Sequence, residues 1–211
     1  MKKADIRTFF ERLSKTASEP ETELEFVNDF TLLVAVVLSA QATDKGVNKA
    51  TKSLFARADT PAKMAALGEA EIRNEIKTIG LYRNKAKNVY ALSQMLRDEF
   101  NGDIPRDRET LMRLPGVGRK TANVVMNEAF GKATFAVDTH VFRLGNRTGL
   151  AAGKSVLEVE KKLDKRVPEP YRLHAHHWLI LHGRYVCVAR KPKCYECVVA
   201  DVCSFRAKTT L

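Results

Sequence analysis

Leu114-Pro115-Gly116-Val117-Gly118-Arg119-Lys120-Thr121-Ala122 is the stretch that decides the fold. Pro115 closes the helix before it, because a residue that precedes proline avoids the helical basin. Gly116 and Gly118 are expected to allow positive φ and to leave room for a close approach. A second helix is predicted to begin near Arg119. The amides ahead of it, with the positive end of the helix dipole, make an anion site. A nucleic-acid phosphate suits that site, with a cation shared by the hairpin carbonyls as an open option. The plain alternative is a tight turn that merely needs glycine. A bare Gly-x-Gly favours the turn, whereas the whole stretch favours the anion site.

Downstream, Ala122, Val125, Met126, Ala129 and Phe130 recur at helical spacing and form a core stripe. Lys120 lies roughly 160° from Ala122 on that wheel and projects away from the core. Most such lysines are simply solvated. To act as a nucleophile the amine must lose its proton, and its reference pKa of about 10.4 is too high. The helix N-terminus, neighbouring Arg119 and partial burial under a bound ligand all favour the neutral form. A second candidate, Asp138, lies in Ala136-Val137-Asp138-Thr139-His140-Val141. Aspartate ahead of a helix is commonly an N-cap. A capping carboxylate is also fixed and ionised, so it can stabilise developing positive charge or move protons.

All four cysteines fall in the last 25 residues, as Cys187-x6-Cys194-x2-Cys197-x5-Cys203. Tetrathiolate sites hold zinc or an iron–sulfur cluster. Structural zinc prefers two close pairs, and only Cys194 and Cys197 form one here, so the spacing favours [4Fe–4S]. Arg184, Arg190, Lys191 and Lys193 flank the first loop, where they can offset cluster charge and reach phosphates. His174, His176, His177 and His182 share a segment with Trp178 and Leu179. No acid or cysteine completes a site with them, which predicts packing or hydrogen bonding.

The rest of the 211 residues reads as helices joined by short loops. Thr60 caps a helix with Pro61 in its first turn and Gly68 as its stop. Ser155 and Glu158 form a capping-box pattern. Asp29 is expected to cap Phe30–Ala40, a run apolar all round and hence central. Further helices are predicted near 3–15, 43–57, 69–79, 83–99, 107–114, 119–130, 139–148 and 170–186. Lys plus Arg number 36 against 25 Asp plus Glu, a net charge of +11. That balance points to nucleic acid, with an anionic membrane second. The longest apolar run is too short to span a bilayer, and the opening Met1-Lys2-Lys3 predicts no secretory signal. A cytoplasmic location follows, nucleoid-associated in a bacterium, where the cysteines stay reduced and available for metal.

Taken in order, these segments resemble the endonuclease III family of the helix–hairpin–helix DNA glycosylase superfamily. The resemblance covers nearly the whole chain. It rests on Leu38 through Asp44, Ile79-Gly80-Leu81-Tyr82, Leu114 through Ala122, Val137 through Val141, His182-Gly183-Arg184 and the cysteine spacing. It implies an all-α, two-lobed glycosylase fold with a C-terminal iron–sulfur cluster loop. One lobe would be a helical barrel over 22–132, with the helix–hairpin–helix at about 107–130. The other would join 1–21 to 133–211 and carry a [4Fe–4S] cluster on Cys187, Cys194, Cys197 and Cys203. DNA would cross between the lobes.

By the same resemblance Lys120 is the nucleophile and Asp138 its acidic partner. Gln41 and Leu81 match positions that enter the duplex where the damaged nucleotide leaves. Gly116, Val117, Gly118 and Arg119 would grip the backbone, with His140, Arg184, Arg190, Lys191 and Lys193 as further contacts. The implied activity is a bifunctional N-glycosylase and AP lyase, a monomer acting on double-stranded DNA with damaged pyrimidines or abasic sites. An adenine-specific mismatch glycosylase would lack a lysine at position 120 and would carry a further C-terminal domain, which is not expected with eight residues after Cys203. A hairpin module that only grips phosphate would need neither Lys120, Asp138 nor the cysteines. An electron carrier would not need the hairpin.

Overall fold

The fold is described from a computed structural model, which describes residues 1–18 and 20–210. Every regular element among them is helical. In chain order the helices are α1 (Lys3–Thr16), α2 (Asp29–Leu38), α3 (Asp44–Arg57), α4 (Pro61–Leu67), α5 (Glu69–Glu75) and α6 (Tyr82–Glu99). They continue as α7 (Arg108–Leu111), α8 (Arg119–Glu128), α9 (Thr139–Thr148), α10 (Val156–Arg166) and α11 (Arg172–Tyr185). The chain divides into a central unit, Glu23–Gly131, and a terminal unit that joins Met1–Thr22 to Lys132–Leu211.

In the central unit, α2 packs against α3, α6 and α8 and is buried from Phe30 through Leu38. A helix apolar on every side has no face to offer water, so it becomes the axis round which amphipathic neighbours pack. Its cap differs from the expected one. Asn28 Oδ1 accepts from the Thr31 amide at 2.9 Å while Thr31 Oγ1 accepts from the Asn28 amide at 3.0 Å. Asp29 is therefore the first helical residue, where its charge faces the helix dipole favourably. Thr60, Pro61 and Gly68 stand where the sequence put them, with Thr60 accepting from the Lys63 amide and Gly68 at φ +83° closing α4.

The terminal unit has its own core. Phe9, Phe10 and Leu13 of α1 pack with Phe135, Leu144, Leu163 and Leu179. Trp178 donates its indole N–H to the Ala17 carbonyl at 2.7 Å, tying the end of α1 to α11. Arg12 reaches the Val198 carbonyl at 3.0 Å, so the first helix also braces the C-terminal loop. Ser155 caps α10 by accepting from the Glu158 amide, but the returning Glu158 carboxylate takes the Lys154 amide at 3.0 Å, not that of Ser155.

Candidate functional site

The hairpin is anchored by its apolar residues. Leu114 and Val117 are buried while Gly116 and Gly118 are exposed. The Val117 amide donates to the Leu114 carbonyl at 3.0 Å, and Ala122 to Gly118 at 2.9 Å as α8 begins. Gly116 has φ +81°, as expected. Gly118 does not: its φ is −90° and ψ 176°, extended backbone open to any residue. Its lack of a side chain clears space rather than permitting a special conformation, since nothing lies within 4 Å of the Cβ it lacks.

Gly116 is also where the hairpin meets α6. A Cβ there would stand 2.9 Å from the Cβ and Nδ2 of Asn88. Sequence reasoning missed Asn88, because nothing local ties a residue of one helix to a turn so far along the chain. No side chain caps α8, and the amides of a helix's first turn have no intrahelical acceptor. Lys120 is the second residue of α8 and exposed, while 121–127 are buried. The amine thus rises from the solvent side of a helix whose other faces are fixed.

Two more candidates meet in the same unit. Gln41 and Leu81 are exposed residues held at φ +54° and +60°. Their loops touch, for a Cβ on Gly80 would lie 3.9 Å from the Gln41 carbonyl. A left-handed backbone at a non-glycine residue costs about 1–2 kcal/mol, so the packing around both loops holds them against that preference.

In the terminal unit, Asp138 caps α9, its Oδ1 accepting from the Val141 amide at 2.8 Å. It borders a pocket shared with Thr139, Phe142, Lys154 and Ser155. His140 lies beside the α9–α11 crossing, where a Cβ on Gly183 would meet the His140 backbone at 3.2 Å. Arg143 donates to the Gly183 carbonyl at 2.5 Å and to the Cys187 carbonyl at 3.0 Å, fixing α11 and the cysteine loop to α9. Arg184 is half-buried, and Arg190, Lys191 and Lys193 are exposed. Lys191 has φ +50°, and Lys193 pairs with Glu196 at 3.1 Å.

The four cysteines are free thiols lining one cavity, with Arg147, His182, Lys193, Lys208 and Phe205. Nitrogen atoms approach three of the sulfurs. Arg147 Nη1 is 3.5 Å from Cys187, His182 Nε2 is 3.5 Å from Cys197, and the Phe205 amide is 3.4 Å from Cys203. Burial pushes the Cys197 thiol up to about 11, helped by the other three cysteines, and burial also raises Cys203. Such a set becomes a thiolate set only around positive charge, which a bound metal core supplies. Among the described residues no three His, Cys, Asp or Glu side chains converge on a single ion. Four free thiols lining one cavity are a donor set that a [4Fe–4S] cluster takes. Of the histidines, His174 packs on Trp178, and His176 and His177 are buried against each other. No helix is long and apolar enough to cross a membrane among these residues.

The model of the HhH-GPD superfamily base excision DNA repair protein matches residues 34–169, and that of the iron–sulfur binding domain of endonuclease III matches residues 187–203. Endonuclease III of Escherichia coli (strain K12) is 52% identical over 211 residues, the full length of both chains. That of Haemophilus influenzae is 54% identical over 197 residues, 93% of each. Among solved structures, a trapped endonuclease III–DNA covalent intermediate superposes with a TM-score of 0.90 at 48% identity, covering 97% of this chain and 96% of that one. A thermostable thymine-DNA glycosylase reaches 0.85 at 24% identity, covering 96% of both, and so shares the fold.

Proposed function

The chain belongs to the HhH-GPD superfamily of base excision DNA repair proteins, within the endonuclease III family, and from that premise we propose the residues and steps of its reaction. It is a base excision DNA glycosylase with AP lyase activity, with DNA as partner and a [4Fe–4S] cluster as cofactor. Cys187, Cys194, Cys197 and Cys203 hold the cluster, which pins the C-terminal loop when bound.

The substrate is duplex DNA carrying an oxidised pyrimidine or an abasic site, and the enzyme works as a monomer in the cytoplasm, on the nucleoid of a bacterial cell. Gly116, Val117, Gly118 and Arg119 form the turn that grips a backbone phosphate, through the glycine amides and the Arg119 charge, with Val117 anchoring it. His140, Arg184, Arg190, Lys191 and Lys193 add contacts. Gln41 and Leu81 enter the stack and fill the space the extruded nucleotide leaves, at a cost of a few kcal/mol that damage lowers.

Lys120 Nζ then attacks the sugar C1′, and the C1′–N bond breaks as the base departs with a proton. Opening of the sugar leaves an imine between Lys120 and C1′. Loss of a C2′ proton expels the 3′ phosphate by β-elimination, and water releases the amine. Asp138 stabilises the positive charge that develops on the sugar and relays protons around the amine.

The observation that carries this reading is Lys120 itself, exposed at the second position of the helix that follows the glycine hairpin. Borohydride should trap the enzyme on DNA containing an oxidised pyrimidine as a covalent adduct that resists denaturing gel electrophoresis. Lys120→Ala should lose the adduct while still binding. An alanine variant that traps as well as the parent would remove the assignment.

A further inference from the structure

We propose that His182 is a positioning residue of the iron–sulfur centre, its Nε2–H donating to the Cys197 sulfur and so raising the reduction potential of the cluster. The inference rests on the cluster and not on the glycosylase chemistry, so the two stand or fall separately.

The geometry sets His182 apart from the other histidines of α11. It lies on the last turn of the helix, buried, with Nε2 3.5 Å from Cys197 Sγ. Its own carbonyl accepts from the Val186 amide at 3.1 Å and the Cys187 amide at 2.7 Å. One residue therefore holds two of the four ligands, Cys197 through its ring and Cys187 through its backbone. The ring of Phe9 meets the imidazole edge-on, with centroids 6.4 Å apart at 70°, and fixes its plane.

A coordinated thiolate can only accept, so the nitrogen facing it must carry the hydrogen. A neutral imidazole has one such hydrogen, and the tautomer follows. Donation draws electron density from the sulfur. It thereby stabilises the electron-rich reduced cluster more than the oxidised one, which moves the potential upward. The two other donors differ in kind. The Phe205 amide belongs to the backbone, and Arg147 also serves the Val188 and Ala189 carbonyls at 2.7 and 3.1 Å. Of the three N–H groups near sulfur, His182 is thus the uncharged side chain that substitution can remove alone.

The test is voltammetry of the cluster-loaded protein and two variants. His182→Phe keeps a ring but cannot donate; His182→Gln keeps an N–H near the position of Nε2. The midpoint potential of His182→Phe should move negative, and His182→Gln should return toward the parent value. An unchanged potential in His182→Phe overturns the proposal. So does a positive shift, the sign expected if the change merely let water reach the cluster. Should His182→Phe not assemble a cluster, the parent protein still decides. Nitrogen-15 spectra of the labelled histidines should show Nε2 of His182 protonated, and a bare Nε2 overturns the assignment.

Discussion

At Asp138 a hydrogen bond and a charge share one side chain, and substitution separates them. Asparagine caps helices about as well as aspartate, so Asp138→Asn keeps the acceptor for the Val141 amide. It should leave thermal stability nearly unchanged and slow single-turnover base release by orders of magnitude, with DNA affinity falling far less. Asp138→Ala should add a stability loss of about 1 kcal/mol. If asparagine slows turnover only as far as it weakens binding, Asp138 is a cap and nothing more. Lys85 poses the opposite question. It is 5% exposed, its Nζ has no hydrogen-bond partner, and burial lowers its pKa from the ordinary 10.5. Between that lowered value and 10.5 the unfolded chain binds a proton that the folded one does not. Stability from this site therefore falls as the pH drops through that window. Lys85→Met should raise stability at pH 7 by about 1–3 kcal/mol, because an unsatisfied buried polar group is removed. Its advantage over the parent should shrink by pH 10. Paired urea titrations at the two pH values measure this; a loss of stability at pH 7 would mean the amine has an acceptor.

The helices differ in how far their own sequence determines them, and the hairpin makes the difference measurable. Gly116→Ala puts a side chain at φ +81° and 2.9 Å from Asn88, and should cost about 2–4 kcal/mol. Gly118→Ala meets open space at φ −90° and should cost under about 0.5 kcal/mol. Its added methyl would obstruct the phosphate that the hairpin is proposed to grip, so DNA affinity should drop several-fold with the fold intact. Urea unfolding and fluorescence anisotropy on the two variants resolve this, and equal stability losses would refute the split. Both glycines look alike in sequence, because conformation at one turn depends on which helix packs beneath it. Caps were more legible: Thr60, Ser155 and Asp138 act through amides three residues away, within reach of local reasoning. At Asn28 and Asp29 two good capping residues adjoin, and the reciprocal Thr31 bond chose the first. The burial of Lys85 also has a local trace in the sequence, since it continues the stripe of Val89, Leu92 and Leu96 at helical spacing.

For the chain taken together, what composition announced was its partner. A charge of +11 favours DNA, and the ordered motifs narrowed that to a base excision glycosylase. What composition leaves open is how far the cysteine loop depends on its cluster. After Tyr185 the only regular element among the described residues is the short turn Cys194–Glu196. The loop is also held by Arg143, Arg147 and Arg12 through backbone carbonyls, by Arg12 on Asp201, by the Ser204 amide on the Thr148 carbonyl, and by Cys187 and Val199 in the core. Backbone ordering costs about 1–2 kcal/mol per residue over a loop of this length, and four metal–thiolate bonds would offset the share that these surface and backbone contacts do not. The core of the terminal unit, by contrast, draws on α1, α9, α10 and α11, and the central unit is built round α2. Removing the iron by oxidation and chelation should therefore leave far-ultraviolet circular dichroism almost unaltered. Amide exchange across 186–210 should accelerate by orders of magnitude, while amides within Glu23–Gly131 keep their protection. Arg190, Lys191 and Lys193 would then lose their fixed positions, and DNA affinity should fall along with the slope of its salt dependence, as fewer counterions are released per complex. If exchange in 186–210 stays slow after the iron has gone, the arginine contacts suffice to hold the loop and the cluster serves some purpose other than its architecture.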